Sequence, residues 1–521
     1  MLIRTYGAKC IGIDAVEVTV EVNIDRGIGI HLVGLADIAV KESLLRTITA
    51  MRSMGFNIPG KRIVINLAPA DLRKNGSGYD LPIAVGIIAA SEQRELPLAG
   101  RYVIMGELGL DGSVREIPGA LPIIEMAGHG DYDGVILPVA SALEALEMKG
   151  VRIFAVETLA DVIRILSGAE DCSDLLLENS RSAASLLRSK ESEENRFERD
   201  SIPDFAEIIG QEGAKRAMEI AAAGGHNIAM TGPPGTGKST LAKALAGILP
   251  PMTAEESLVT SKIFSIAGKG GLRYGLMNRR PFRAPHYSAT LTALIGGGSG
   301  DNILPGEVSL AQNGVLFLDE APLMPSATLE ALRAPIEDRK VVISRLRSKV
   351  EFPAECMLVL ASNPCPCGYW GEGDRCTCTP ARRAAYLAKL SGPMMDRIDL
   401  HVSVSQVTVR MIGARSEAES SAAVASRVMK AREIQRRRFD GEGILTNSAM
   451  GRKQIERFCP LDENCSEALL GIMEKLGLSM RAYFRIIRVA RTIADLAGEE
   501  SIRREHIAEA AGYRFLDRRQ I

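Results

Sequence analysis

Gly232-Pro-Pro-Gly-Thr-Gly-Lys-Ser239 fits the pattern G-x-x-x-x-G-K-[ST]. It follows the short apolar run Asn227–Met230 and precedes a helical stretch, Thr240–Leu249. A strand, a glycine-rich loop and a helix start, in that order, make a phosphate cradle. The glycines let backbone N–H groups converge on phosphate oxygens, and the helix N-terminus adds the positive end of its dipole. Gly232, Pro233, Pro234, Gly235, Thr236, Gly237, Lys238, Ser239 and Thr240 are therefore the expected ATP contacts. Lys238 would neutralise β/γ-phosphate charge, and the Ser239 hydroxyl would ligate Mg²⁺.

Working outward, Gly314-Val-Leu-Phe-Leu-Asp319-Glu320 is an apolar strand that ends in two acids. Parallel strands are apolar on both faces, so a carboxylate pair at the end points to a ligand crevice. Asp319 would hold the metal shell, and Glu320 would orient the attacking water or take its proton. A further apolar strand, Cys356–Ala361, ends at Ser362-Asn363. The Asn363 amide can position the lytic water, or else it caps a turn.

Ser391-Gly-Pro-Met-Met-Asp396-Arg397-Ile-Asp399 resembles the arginine-finger segment of ring-forming AAA+ proteins. Arg397 is the finger candidate; the alternative is an intrachain ion pair with Asp396 or Asp399. Arg481 opens the helical stretch RAYFRIIRVARTIADL, where AAA+ lids carry a second sensor, with Arg485 and Arg488 on one face. The alternative is a solvated basic face.

Cys365, Cys367, Cys376 and Cys378 lie within fourteen residues. Four thiolates suit tetrahedral Zn²⁺, although C-x-C is tighter than the usual C-x₂₋₄-C spacing. Free thiols or a redox pair remain the competing reading.

Longer stretches narrow the family. They are Ile209-Gly-Gln-Glu-Gly-Ala-Lys-Arg-Ala-Met-Glu-Ile, Arg280-Pro-Phe-Arg-Ala-Pro-His286, Gly296-Gly-Gly298, Pro305-Gly-Glu-Val-Ser-Leu-Ala and Arg488-Val-Ala-Arg-Thr-Ile-Ala-Asp-Leu496. Together they resemble the ComM/YifB family of magnesium-chelatase-like ATPases. That resemblance implies a hexameric AAA+ ring of the helix-2-insert type. It further implies a helicase that drives branch migration of DNA in recombination and natural transformation. Residues 270–300 would be the pore insert, with Lys269, Arg279, Arg280, Arg283 and His286 on the DNA backbone; the alternative is a buttress for the nucleotide site. The runner-up function is a chelatase-type ATPase that remodels a protein partner for metal insertion.

The N-terminal part reads as an α+β unit, with strands at Val16–Ile24, Arg62–Leu67, Val103–Leu108 and Gly134–Pro138 and helices at Asp37–Met54 and Leu81–Ser91. Lys74-Asn-Gly-Ser-Gly-Tyr-Asp80 and Gly106–Leu121 resemble the serine and lysine segments of Lon-type proteases. Asp80 and Leu121 stand where the dyad should be, and Ser77 is offset by three, so no peptidase activity is expected.

The expected fold is thus α/β: a P-loop AAA+ core with a helical lid, plus the Lon-like α+β domain. The expected domains are 1–167 (Lon-like), 168–204 (a solvated linker with a short helix at Ser182–Leu187), 205–405 (core) and 406–521 (lid). A net charge of −1 leaves any DNA contact to local patches, such as Arg427, Lys430, Arg432, Arg436, Arg437 and Arg438. A solvated face is the commoner reading of such a run. No apolar run reaches membrane-spanning length, the start MLIRTYGAKC lacks a signal core, and nine unevenly spread cysteines argue for a reducing compartment. The expected location is cytoplasmic.

Overall fold

The computed structural model describes residues 2–514 apart from 36, 170, 198–201, 271–274, 299–301, 346–348, 391 and 408–417. Parts of the expected insert, Ser391 and the junction between core and lid therefore lie outside the described residues.

The N-terminal domain is a seven-stranded mixed sheet. Its strands are β1 (Leu2–Ile11), β2 (Asp14–Asp25), β3 (Gly29–Val33), β4 (Arg62–Ala68), β5 (Tyr102–Ile104), β6 (Gly134–Pro138) and β7 (Ile153–Val156). They run in the order β3-β4-β2-β1-β5-β6-β7. In β2, Val18, Val20 and Val22 are fully buried and the intervening Glu17, Thr19 and Glu21 are not, the period-2 pattern of a sheet with one covered face. The helices α1 (Ile38–Ser53), α2 (Asp80–Ala90) and α3 (Ala120–His129) pack on it. Every residue of α2 is buried.

Two expectations change here. Val103–Leu108 is not one strand. The chain leaves the sheet after Ile104, because the Gly106 backbone turns to donate to Gly78 O (2.9 Å) and to accept from Leu81 N–H (3.2 Å). Glu107–Leu108 then pairs with Val114–Arg115 in a small hairpin. The stretch read as a solvated linker is half packed. Cys172, Leu177 and Ala183 are buried in the N-terminal core, and the helix there runs Arg181–Phe197.

The second domain holds a parallel sheet of five strands: β8 (Ile228–Thr231), β9 (Phe282–Arg283), β10 (Val315–Leu318), β11 (Met357–Ser362) and β12 (Leu400–Ser403). They run in the order β9-β10-β11-β8-β12, all parallel. β10 and β11 are buried throughout, as a doubly covered parallel sheet requires. Helices α4 (Glu212–Gly224), α5 (Lys238–Ile248) and α6 (Ala254–Ile266) belong to this domain. An antiparallel hairpin that the sequence reading missed, Lys340–Ser344 with Lys349–Pro353, projects from it.

The lid is helical: α7 (Ser421–Arg438), α8 (Glu463–Leu476), α9 (Met480–Ala497) and α10 (Arg504–Gly512). Leu241 and Leu245 of the P-loop helix share one hydrophobic cluster with Val428 and Ile493 of the lid. Burial of aliphatic side chains, worth about 1.5–3 kcal/mol each, therefore ties lid to core.

The N-terminal domain docks on α6. Gly119 N–H donates to Ser265 O (3.0 Å), and the Lys262 ammonium donates to Asp14 (3.0 Å) and Glu125 (2.5 Å). Asp80, at the position of the lost nucleophile, is fully buried and paired with Arg46 and Ser43. Ser77 hydroxyl donates to Glu107, and Lys74 is bound to Pro69 O.

Candidate nucleotide site

Parallel pairing sets Thr231 beside Ser362 and Leu318 beside Leu360. The loop after β8, the acids after β10 and the amide after β11 thus leave the sheet at one edge, the carboxyl ends of the strands. Gly232 N–H donates to Ser362 O (3.2 Å), and a Cβ on Gly232 would meet Val404 O at 2.1 Å, so only glycine lets the loop start there. Gly235 and Gly237 follow with φ of +78° and +86°, in the left-handed region that glycine adopts freely. Helix α5 then begins at Lys238 without a side-chain cap. Its first-turn N–H groups and dipole are directed to the loop, the usual anion-binding arrangement of a helix start.

Lys238 is buried, and its ammonium donates to Gly232 O (2.7 Å), Pro233 O (2.8 Å) and Asn363 Oδ1 (3.1 Å). Burial pushes its pKa below the usual lysine value, while Asp319 and Glu320 act in the opposite sense. Ser239 hydroxyl donates to Asp319 Oδ2 at 2.9 Å. The two expected Mg²⁺ ligands are therefore already side by side, as one cation would need. Glu320 has φ of +48°, rare for a non-glycine residue, and its N–H donates to Asp319 Oδ1 (2.9 Å). Such strain concentrates at functional sites because the surroundings must hold it. Lys238, Ser239, Asp319, Glu320 and Asn363 thus form one constellation.

Arg397 and Arg481 are elsewhere. Asp399 N–H donates to Asn227 O (3.0 Å), and Asn227 Nδ2 donates to Arg397 O (3.3 Å), so this segment lies at the amino end of β8. The loop leaves from the other end of that strand, about 13 Å away for four residues. Arg397 pairs with Glu337, and Arg481 lies 3.7 Å from Asp396; both line one wide cleft. Arg481 is thus not beside its own chain's loop.

Asp399, which the sequence reading weighed only as a partner for Arg397, is the hub of this end. It is buried and binds Arg485 and His226, and it accepts from Asn227 N–H (3.1 Å). Although burial opposes ionisation, Arg485, His226 and Arg488 hold its carboxyl well below the usual range. Arg485 and Arg488 are therefore not a solvated face.

Family models for magnesium chelatase subunit ChlI match residues 20–141 and 204–412, and one for the C-terminal part of that subunit matches 418–514. Competence protein ComM of Haemophilus influenzae is 42% identical over 517 residues, covering 98% of this chain and 97% of that protein. YifB of Escherichia coli K12 is 40% identical over 515 residues, 98% of this chain and 96% of that protein.

The chain belongs to the ComM/YifB family of magnesium-chelatase-like ATPases.

Membership carries ATPase activity, and ATP with Mg²⁺ is consistent with the loop, lysine and paired hydroxyl and carboxylate described above. The N-terminal domain of this family member also has Lon homology. Archaeal Lon protease of Methanocaldococcus jannaschii is 26% identical over 144 residues, 28% of this chain and 22% of that protein. No described helix is long and apolar enough to cross a membrane.

The expected DNA contacts are largely occupied within the chain. Arg280 is bound to Glu256, Pro250 O and Asn313 O, and Arg283 is paired with Glu307. These two arginines are thus engaged within the chain. In the basic run of the lid, Arg427 pairs with Glu219 and Glu419, Arg432 donates to Ala222 O, and Arg438 pairs with Asp495. Arg436 and Arg437 flank Glu433.

Cys365, Cys367, Cys376 and Cys378 do come together, their sulfurs all within 4.8 Å of one another, directly beyond Asn363.

Proposed function

We propose that this chain is a DNA-acting AAA+ motor, a hexameric helicase that promotes branch migration in recombination and natural transformation in the cytoplasm. The observation that carries it is the split of the site across one subunit. The P-loop, Asp319, Glu320 and Asn363 lie at the carboxyl ends of the strands, while Arg397 and Arg481 lie at the amino ends. Neither arginine can serve the triphosphate of its own chain. A ring in which each subunit offers its arginine end to its neighbour's P-loop end completes every site. Hydrolysis in one subunit is then linked to the position of the next, as stepwise movement along a track demands. An arginine supplied in trans is worth ~10³–10⁵ in rate in comparable sites.

Lys238 and the α5 start hold the phosphates, Ser239 and Asp319 hold Mg²⁺, and Glu320 activates water that Asn363 positions. DNA as the track is supported by the near-full-length similarity to a competence protein. The test is ATP turnover measured without DNA and with duplex, single-stranded and four-way-junction DNA. Stimulation by DNA, greatest with the junction, is expected, together with binding that weakens steeply as salt rises. A flat response to all three DNAs, with stimulation by a chelatase partner protein instead, would establish the remodelling reading, which the chelatase family models favour.

A further inference from the structure

The four cysteines form a cluster with the dimensions of a bound tetrahedral cation. The Cys365–Cys376 and Cys367–Cys376 sulfur separations are 3.8 and 3.7 Å, and Cys365–Cys367 is 3.3 Å. Four sulfurs placed about 2.3 Å from a central Zn²⁺ are about 3.8 Å apart along each edge of the tetrahedron. A disulfide would need about 2.05 Å, and all four are free thiols. Cys365 and Cys378 are buried, so the cluster is anchored from inside.

What surrounds the cluster gives it a task. Cys365 comes two residues after Asn363, whose amide oxygen accepts from the P-loop lysine. The turn is closed by Gly368 N–H on Cys365 O (2.9 Å). Gly368 has φ of +87°, and a Cβ there would strike Pro234 of the P-loop at 2.7 Å. The far end of the knot enters the helix Pro380–Leu387, whose Tyr386 is buried. The Arg383 guanidinium lies 5.4 Å over the Trp370 ring, which fastens the loop to the same helix. The loop is therefore set against the P-loop at Pro234 and joined through one residue to Asn363, whose amide oxygen accepts from Lys238.

We propose that Cys365, Cys367, Cys376 and Cys378 bind one structural Zn²⁺, and that this metal knot is a positioning device that holds Asn363 and Pro234 in register for nucleotide. The second part rests on the nucleotide site described above; the first stands without it.

The test begins with the full-length protein purified without added metal. Elemental analysis should give one zinc per chain and no iron, and Cys376→Ser should lose most of it. Zinc is then displaced from the wild-type protein with a mercurial thiol reagent while far-UV circular dichroism follows the fold. Affinity for a fluorescent ATP analogue should fall about tenfold with the fold intact, and should return when thiol and zinc are restored. Absence of zinc with four titratable thiols, or iron in its place, overturns the site. Zinc that is displaced with no change in affinity overturns the positioning role. Lys238→Ala, measured alongside, reports on the nucleotide site separately, since it removes phosphate contacts and leaves the zinc content at one.

Discussion

Glu320 and Lys238 show how much a single side chain depends on the strand that carries it. Glu320 is held with a left-handed backbone two residues beyond the end of the buried strand at Leu318, directly after Asp319. Removing its charge should separate binding from chemistry. Glu320→Gln is expected to keep ATP affinity and lower turnover by about 10²–10⁴, trapping bound ATP. Unchanged turnover would remove Glu320 from its assigned role. Glu144 is a different case. It is buried against the domain junction, and burial pushes its carboxyl up to about 7. A group whose folded value is raised costs stability as pH climbs from its unfolded value, near 4.5, to its folded one. Glu144→Gln should therefore stabilise the protein at pH 8, by on the order of 2 kcal/mol, and hardly at all at pH 4. Thermal unfolding at the two pH values checks it. The P-loop and acid-pair residues were legible because their motif and strand context are local. Glu144 was not: nothing in Leu143-Glu144-Ala145 signals burial, which comes from α6 and the loop after it packing from more than a hundred residues away.

At the scale of elements, lid and core are joined by a charge as well as by apolar area. Asp399, at the entry to β12, meets Arg485 of α9 with the carboxylate fully enclosed. Replacing it by asparagine leaves the arginine enclosed without a counter-charge, so Asp399→Asn should cost about 3 kcal/mol. A lid that unfolds before the core would be seen as a second calorimetric transition. A stability within 0.5 kcal/mol of wild type, on the order of an ordinary surface substitution, would deny the hub its weight. This junction explains why a solvated basic face stays open as the alternative when the arginines of α9 are read from sequence: they are polar at helical spacing, and the partner of Arg485 lies 86 positions earlier. The hairpin Lys340–Ser344/Lys349–Pro353 was missed for a local reason. Its alternation of Val341, Ile343, Val350 and Phe352 with Lys340, Lys349 and Glu351 is a period-2 pattern set inside a region read for parallel α/β order. The strands of the parallel sheet were legible because continuous burial leaves an apolar run with an abrupt polar end.

For the whole molecule, the proposed function requires the two ends of one sheet, the P-loop end and the Arg397 end, to act as unlike halves of one shared catalytic centre. The N-terminal domain, docked on α6 by Lys262 and by the Gly119 backbone, is packed against the P-loop domain. A protein that spans both halves should be inactive with either half damaged, and rescued by sharing. The most direct measurement is ATP turnover by co-purified assemblies of Lys238→Ala and Arg397→Ala chains. Each variant alone is expected to fall by about 10³ or more. The mixture should recover turnover, because some interfaces then pair an intact P-loop with an intact Arg397. An Arg397→Ala protein with full activity alone, or a mixture no more active than its parts, would contradict a site completed between subunits.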